Sequence, residues 1–230
     1  MTKMGLTAIR QTSTGVPNAE LRRDFVLPLA IIASLIILTL TTGVHISVRA
    51  FDRESVVREQ ALAKNGIEQR IEEVALMVVP QADWDDAVSN LDNKYDPAWA
   101  EANIGKYLWT TNGFDRAFVL DADDRPIFAG HEGGGAPLQD YDQFSGVAPG
   151  LVKAVREREA KRGPIKGGPS RNMISQPIQA NTLSYVRGEL VIVTATLVQP
   201  DFGTALPKGA RSPIVLTSMV IDAPFLQLFS

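Results

Sequence analysis

Hydrophobic positions follow different patterns along this chain, and each predicts a different element. The first is an unbroken run from Phe25 to Val48 (FVLPLAIIASLIILTLTTGVHISV) with no Asp, Glu, Lys or Arg. As a helix it reaches about 36 Å, against a hydrocarbon core of about 30 Å. Pro28 falls in its first turn, where a missing backbone N–H costs little. Core helices rarely stay uncharged over such a length, and no small-x-small pair follows cleanly as in a cleaved signal peptide. The run predicts one membrane-spanning helix over residues 25–48.

The second pattern is a stripe. Val56, Ala63, Ile67, Ile71, Val74 and Val78 recur at steps of seven, four, four, three and four, which is one face of a helix. The membrane helix is therefore expected to continue as a long helix over residues 49–79. Its stripe suits packing on its own domain, or pairing with a second copy as a homodimer. Pro80 breaks it. A short helix, QADWDDAVSNLDN, resumes with Asp83, Asp85 and Asp86 crowding its first turns. Asp96-Pro97 then gives an N-cap and a first helical residue. The helix Pro97–Trp109 should bury Trp99, Ile104, Tyr107 and Leu108, with Asn103 nearby, and Thr111-Asn112-Gly113 should end it.

Further on, the period shortens towards two. Arg116–Leu120 and Pro126–Ala129 predict a hairpin about a turn at 121–125. Gly130 to Gly135 reads as an open loop. An amphipathic helix, Leu151–Lys161, closes at Gly163-Pro164. Strand runs follow at Ile174–Ile178, Ser184–Val186, Glu189–Val198 and Ile214–Ile221, with a mobile loop from Pro200 to Pro213. Asp222-Ala223-Pro224 opens another helix, and residues 223–230 read as the start of a truncated element, so the sequence reads as a fragment. The plan is α+β with a mostly antiparallel sheet.

Composition narrows the chemistry. The 230 residues include no cysteine and two histidines, with a net charge of −3. Disulfides, thiol catalysis and thiolate metal sites are excluded, and nucleic acid is not an expected partner. Residues 1–24 are polar and aperiodic, a cytoplasmic tail. Arg22 and Arg23 abut the span, while the basic residues beyond it are diluted by Asp52, Glu54 and Glu59. The expected orientation puts the N-terminus in the cytoplasm and the rest outside.

Trp84, Asp85 and Asp86, with Trp99 and Asn103, are the candidate ligand-binding residues. An indole offers a large apolar face, and a carboxylate can hold an amine or cation. The alternative is structural, with Trp84 in the core and the carboxylates bonded to backbone groups or an arginine. Tyr185 and Arg187 are candidates to face a pocket on the sheet. Asp121-x-Asp123 with Glu132 imitates a calcium loop, but Pro126 stands where glycine is needed. Asp85 and Asp86 point about 100° apart on a helix and cannot flank one bond as a glycosidase pair does. No serine, histidine and aspartate set clusters, so neither catalytic nor metal residues are assigned, and no cofactor is expected.

Ala82-x-Trp84-Asp85-Asp86-Ala87, Asp96-Pro97, Asn103, and the hairpin Phe118-Val119-Leu120-Asp121 with Ile127-Phe128 together resemble the type 4 CHASE domain. That domain is an extracellular sensory module of membrane-bound cyclases and histidine kinases. The likeness is closest over residues 82–129 and extends loosely to residue 222 through Gly188-Glu189-Leu190-Val191. It implies a PAS-like or Cache-like sensor over residues 80–222, periplasmic or extracellular, held in the inner (plasma) membrane between two spans. It further implies an unknown small-molecule or protein ligand. The implied output is a cytoplasmic diguanylate cyclase (GGDEF), a c-di-GMP phosphodiesterase (EAL), or both. A histidine kinase output, or a ligand-free anchored adaptor, stands as the alternative. The chain itself is then not an enzyme.

Overall fold

The computed structural model describes residues 25–165 and 168–221, and for residues 46–63 the backbone alone. The tail at 1–24 and the helix expected at 223–230 lie outside the described residues, as do the side chains of Val56 and Ala63. The chain divides into two units, Met1–Leu62 and Ala63–Ser230.

Helix α1 (Leu27–Leu76) begins in the first unit with an apolar stretch, Leu27–His45, none of whose residues is buried in the protein. Twelve large apolar side chains between Phe25 and Val44 are more than half exposed. Removing that many from water is worth about 20–30 kcal/mol, more than the roughly 5–15 kcal/mol that holds a whole domain folded. The hydroxyl side chains on the same stretch are satisfied internally. The hydroxyls of Ser34, Thr39, Thr41 and Thr42 each donate to a carbonyl four residues back, at 2.7–2.9 Å. Such back-bonding hides a hydroxyl from a solvent that offers no partner. The helix is long and apolar enough to cross a membrane.

The second unit is an α+β fold around one antiparallel sheet. Its strands are β1 (Arg116–Leu120), β2 (Pro126–His131), β3 (Gly134–Gly135), β4 (Gln179–Val186), β5 (Glu189–Leu197) and β6 (Ile214–Val220), in the order β3-β2-β1-β6-β5-β4. Side chains alternate between two faces. Ala117 and Val119 of β1, Ile192 of β5, and Val215 and Met219 of β6 join one core, with Val74 and Val78, Leu91, Ile104 and Leu108. Phe118, Leu120, Val193, Ala195, Ile214 and Leu216 join a second core on the opposite face. A 3-10 turn (Leu138–Phe144) and helix α6 (Ala148–Arg162) cover that face.

The helices on the first face are short and interrupted. Helix α1 ends at Leu76 rather than at Val79, because a proline ring at position 80 would collide with the carbonyl four residues earlier. Helix α2 (Val79–Ala82) follows, with Pro80 in its first turn. The predicted single helix over QADWDDAVSNLDN is broken at Asp83–Trp84, where Trp84 is extended (φ −157°, ψ 134°). The break is imposed from outside. Asp83 bridges in parallel to Gln199, and the Trp84 N–H donates to the Gln199 carbonyl at 2.9 Å. Helix α3 (Asp85–Ala87) then widens into a π-type segment, Val88–Asn93. Helix α4 (Pro97–Ala100) starts on the expected cap: the Asp96 carboxylate accepts from the N–H groups of Ala98 and Trp99 at 3.0 and 3.1 Å. It widens over Glu101–Lys106 and runs into helix α5 (Tyr107–Asn112), closed by Gly113 at φ 77°. Tyr107 is exposed rather than buried, because it falls on the solvent side of a stripe that Ile104 and Leu108 already fill.

Three connections differ from expectation. Residues 130–135 are not an open loop. His131 ends β2, Glu132 and Gly133 turn with positive φ, and Gly134 and Gly135 pair back onto His131 and Gly130. Residues 174–178 are not a strand. Pro177 lacks a ladder donor, and the Ile174 N–H and Ser175 hydroxyl are spent on the carbonyls of Asp201 and Pro200. The run from Pro200 to Pro213, expected to be mobile, is fastened along its length by carboxylates. Asp85 takes Gly203 and Thr204, Asp92 takes the Lys208 N–H, and Glu159 takes the Ser212 N–H.

Candidate ligand site

The residues singled out from sequence gather at the start of the helical layer, against the first core. Trp84 and Trp99 are half-buried, their ring centroids 5.7 Å apart with planes tilted by 45°. Asn103 donates its amide to the Trp99 carbonyl at 3.0 Å. Asp86 is exposed, and its backbone carbonyl accepts from the Asn90 amide. Asp85 is 6% exposed, and its carboxylate accepts three bonds: from Gly203 N–H at 3.0 Å, Thr204 N–H at 2.9 Å and Thr204 hydroxyl at 2.6 Å. Burial works against its charge, but the Thr204 and Gly203 donors outweigh it and hold the pKa below the ordinary 3.8. Asp201 returns the contact by accepting the Asp85 N–H at 3.0 Å. The motif is thus an interlock between α3 and the 200–213 loop, with its oxygens already occupied.

A cavity of about 380 Å³ lies elsewhere, on the opposite face of the sheet. The register builds it. Val193, Ser218, Arg116 and His131 form one row across β5, β6, β1 and β2, and Val191 with Val220 forms the next. Helix α6 and the 3-10 turn cover the rows below, leaving this end of the face open. Phe144, Val186, Val191 and Val220 supply apolar lining. Arg187 lies on the β4–β5 turn at φ 54° and reaches the cavity, whereas Tyr185 pairs with Leu190, one step out of phase, and is 74% exposed. Of the two residues proposed for a sheet pocket, Arg187 lines it and Tyr185 points away.

Of the charged lining, only Arg116 has an ion-pair partner among the described residues. Arg116 is committed to Asp140 at 2.8 Å. Asp115 accepts from the Val220 N–H at 2.6 Å. Burial pushes the Asp115 carboxyl above its ordinary value against that bond, and the charges of Glu189 and Glu132 add to the rise. Glu132, Glu189 and Arg187 make no ion pair among the described residues. Ser218 is 2% exposed and its hydroxyl makes no hydrogen bond there either. Gln143 holds a buried side-chain oxygen without a donor. Glu132, Arg187 and Glu189 are exposed, whereas Ser218 is withdrawn from water, where polar groups normally have partners. Sequence reasoning missed Ser218, Gln143, Asp115 and Glu189. A serine set in the apolar strand Ile214–Val220 was the one local signal available.

The CHASE4 domain family model matches residues 66–229, and the chain belongs to that family, an extracellular sensory domain of signalling proteins. No curated protein matches the chain.

Proposed function

We propose that this chain is the extracytoplasmic input region of a membrane-anchored signal transduction protein, and that it catalyses nothing itself. Its ligand occupies the cavity on the sheet. The observation that carries this reading is the hydroxyl of Ser218, a residue 2% exposed, which lines the cavity without a hydrogen-bond partner among the described residues in a domain of a sensory family. The single antiparallel sheet with helices on both faces supports a PAS-like or Cache-like plan. The α1 backbone from Leu27 to Leu76 supports one helix carrying the signal towards the membrane. The N-terminus lies in the cytoplasm, copies pair through residues 49–79, and the output is a diguanylate cyclase, a c-di-GMP phosphodiesterase or both. Trp84, Asp85, Asp86, Trp99 and Asn103 hold the helical layer on the other face of the sheet rather than the ligand.

The test is cellular. The full-length protein carrying Ser218→Leu, which fills the cavity floor, is compared with wild type at equal membrane abundance. Cellular c-di-GMP is followed by mass spectrometry across growth media. Wild type should change c-di-GMP with the medium and the variant should not. Identical responses in both would overturn the cavity as the sensing site. A change in phosphotransfer with constant c-di-GMP would point to a histidine kinase output.

A further inference from the structure

The cavity's lining selects its ligand by charge, an inference that rests on reading the cavity as the ligand site. Three carboxylates line it, those of Asp115, Glu132 and Glu189, against the guanidinium groups of Arg116 and Arg187. Arg116 is already neutralised by Asp140, outside the lining. The carboxylates are left facing Arg187 and His131, and neither glutamate has an ion-pair partner among the described residues. Ser218 adds a hydroxyl that can accept as well as donate. A ligand that brings positive charge satisfies both glutamates, which an anion would not.

A bare divalent ion fits poorly. No three His, Asp or Glu side chains among the described residues stand close enough to share a metal, and metal sites need several oxygens at about 2.0–2.6 Å. Beside the acidic groups the lining carries apolar surface from Phe144, Val191 and Val220. That mixture suits a charge carried on methylenes. The cavity volume also lies in the range of small-molecule sites, about 300–1,000 Å³. We infer that the cavity binds a compact organic ammonium ion, a small aliphatic amine or diamine, with its ammonium on the glutamates and its methylenes against the valines.

The experiment uses the whole chain in lipid nanodiscs and follows thermal unfolding by tryptophan fluorescence. The probes are 1,4-diaminobutane, succinate and calcium chloride; succinate has the same four-carbon length with the opposite charges. Diaminobutane should raise Tm saturably, by about 5–10 °C at a hundred times its Kd, and succinate and calcium should not. Glu132→Gln with Glu189→Gln, both on exposed positions, should leave the unliganded Tm in place and weaken binding at least tenfold. Ser218→Ala should weaken it further. A shift with succinate that Ser218→Ala removes would overturn the amine class and keep the cavity as a ligand site. Equal stabilisation by calcium, unchanged binding in the double glutamine variant, or no shift with any probe overturns the inference. Diaminobutane that binds as described but leaves cellular c-di-GMP unchanged overturns the signalling role instead, with the amine site intact.

Discussion

Asp83→Asn is expected to remove a pH dependence of stability between about pH 4 and pH 7 that wild type carries at this position. Asp83 is 5% exposed and sits where α2 is bridged to the sheet end. Its carboxylate accepts from the Ser175 hydroxyl at 3.1 Å and the Gln199 amide at 3.4 Å, and Arg162 reaches Gln199 at 2.6 Å rather than the carboxylate itself. Burial therefore dominates and raises its pKa from 3.8 to about 6, with the Gln199 and Ser175 bonds opposing and the Asp201 charge adding to the rise. A raised carboxyl binds its proton more tightly folded than unfolded. Its contribution is fully present below about pH 4 and is lost as pH rises through about 6. About two pH units at 1.36 kcal/mol each give roughly 3 kcal/mol, or about 6–12 °C of Tm for a domain of this size. Asparagine keeps an acceptor for Ser175 and carries no charge. Thermal unfolding of both proteins by circular dichroism, in buffers from pH 3.5 to 7.5, gives the difference directly, because carboxyls common to both cancel. Wild type should lose about 6–12 °C more than Asp83→Asn across that window. Parallel curves would refute the argument that desolvation of Asp83 governs its titration.

Asp85 has the opposite sign. Its depressed pKa stabilises the fold above the unfolded value and loses that contribution only as pH falls below the ordinary 3.8. Asp85→Ala strands three donors on Gly203 and Thr204 and should cost about 3–5 kcal/mol, read as a drop in the denaturation midpoint at pH 7. Gly133→Ala places a Cβ 2.7 Å from Trp109 Cδ1 at a φ of 79°, and should cost at least about 1–3 kcal/mol; a Tm equal to wild type would show that the β2–β3 turn relaxes freely. Because the chain has no cysteine, Tyr185→Cys, at a 74% exposed position, reports orientation cleanly. A maleimide that cannot cross the inner membrane should label it in intact cells, and protection until lysis would reverse the proposed topology.

What the sequence made legible was whatever a few neighbouring residues decide. Asp96-Pro97 and Gly113 mark their helix ends because a cap needs only a side chain and a φ value. The β1–β2 hairpin follows from a short polar turn between apolar runs. Trp84-Asp85-Asp86 was visible as a motif, but its meaning was not, since the donors that occupy Asp85 lie at residues 203–204. The cavity was hidden for the same reason. It joins residues near 115, 131, 143, 187 and 218, which meet only once the register of β1, β5 and β6 is known. Parity then decides everything, as the contrast between Arg187 and Tyr185 shows.

That parity also bears on how the proposed sensor would transmit. Strand β6 carries Ser218 and Val220 to the cavity and Thr217 and Met219 to the opposite face, where Met219 shares a core with Val74 and Val78 at the end of α1 and just beyond it. A ligand that favours one position of Ser218 and Val220 moves the same backbone on which Met219 sits. Packed cores respond to such shifts by switching between discrete arrangements rather than by continuous deformation. Val220 N–H is further tied to Asp115 at 2.6 Å, so the strand's end is held by a carboxylate whose ionisation an ammonium ligand would itself favour. Ligand charge, strand position and the packing of the α1 terminus therefore meet in one strand. Only a ligand with unequal affinity for the two strand positions can bias them, and a cationic group beside Asp115 supplies a physical reason for that inequality.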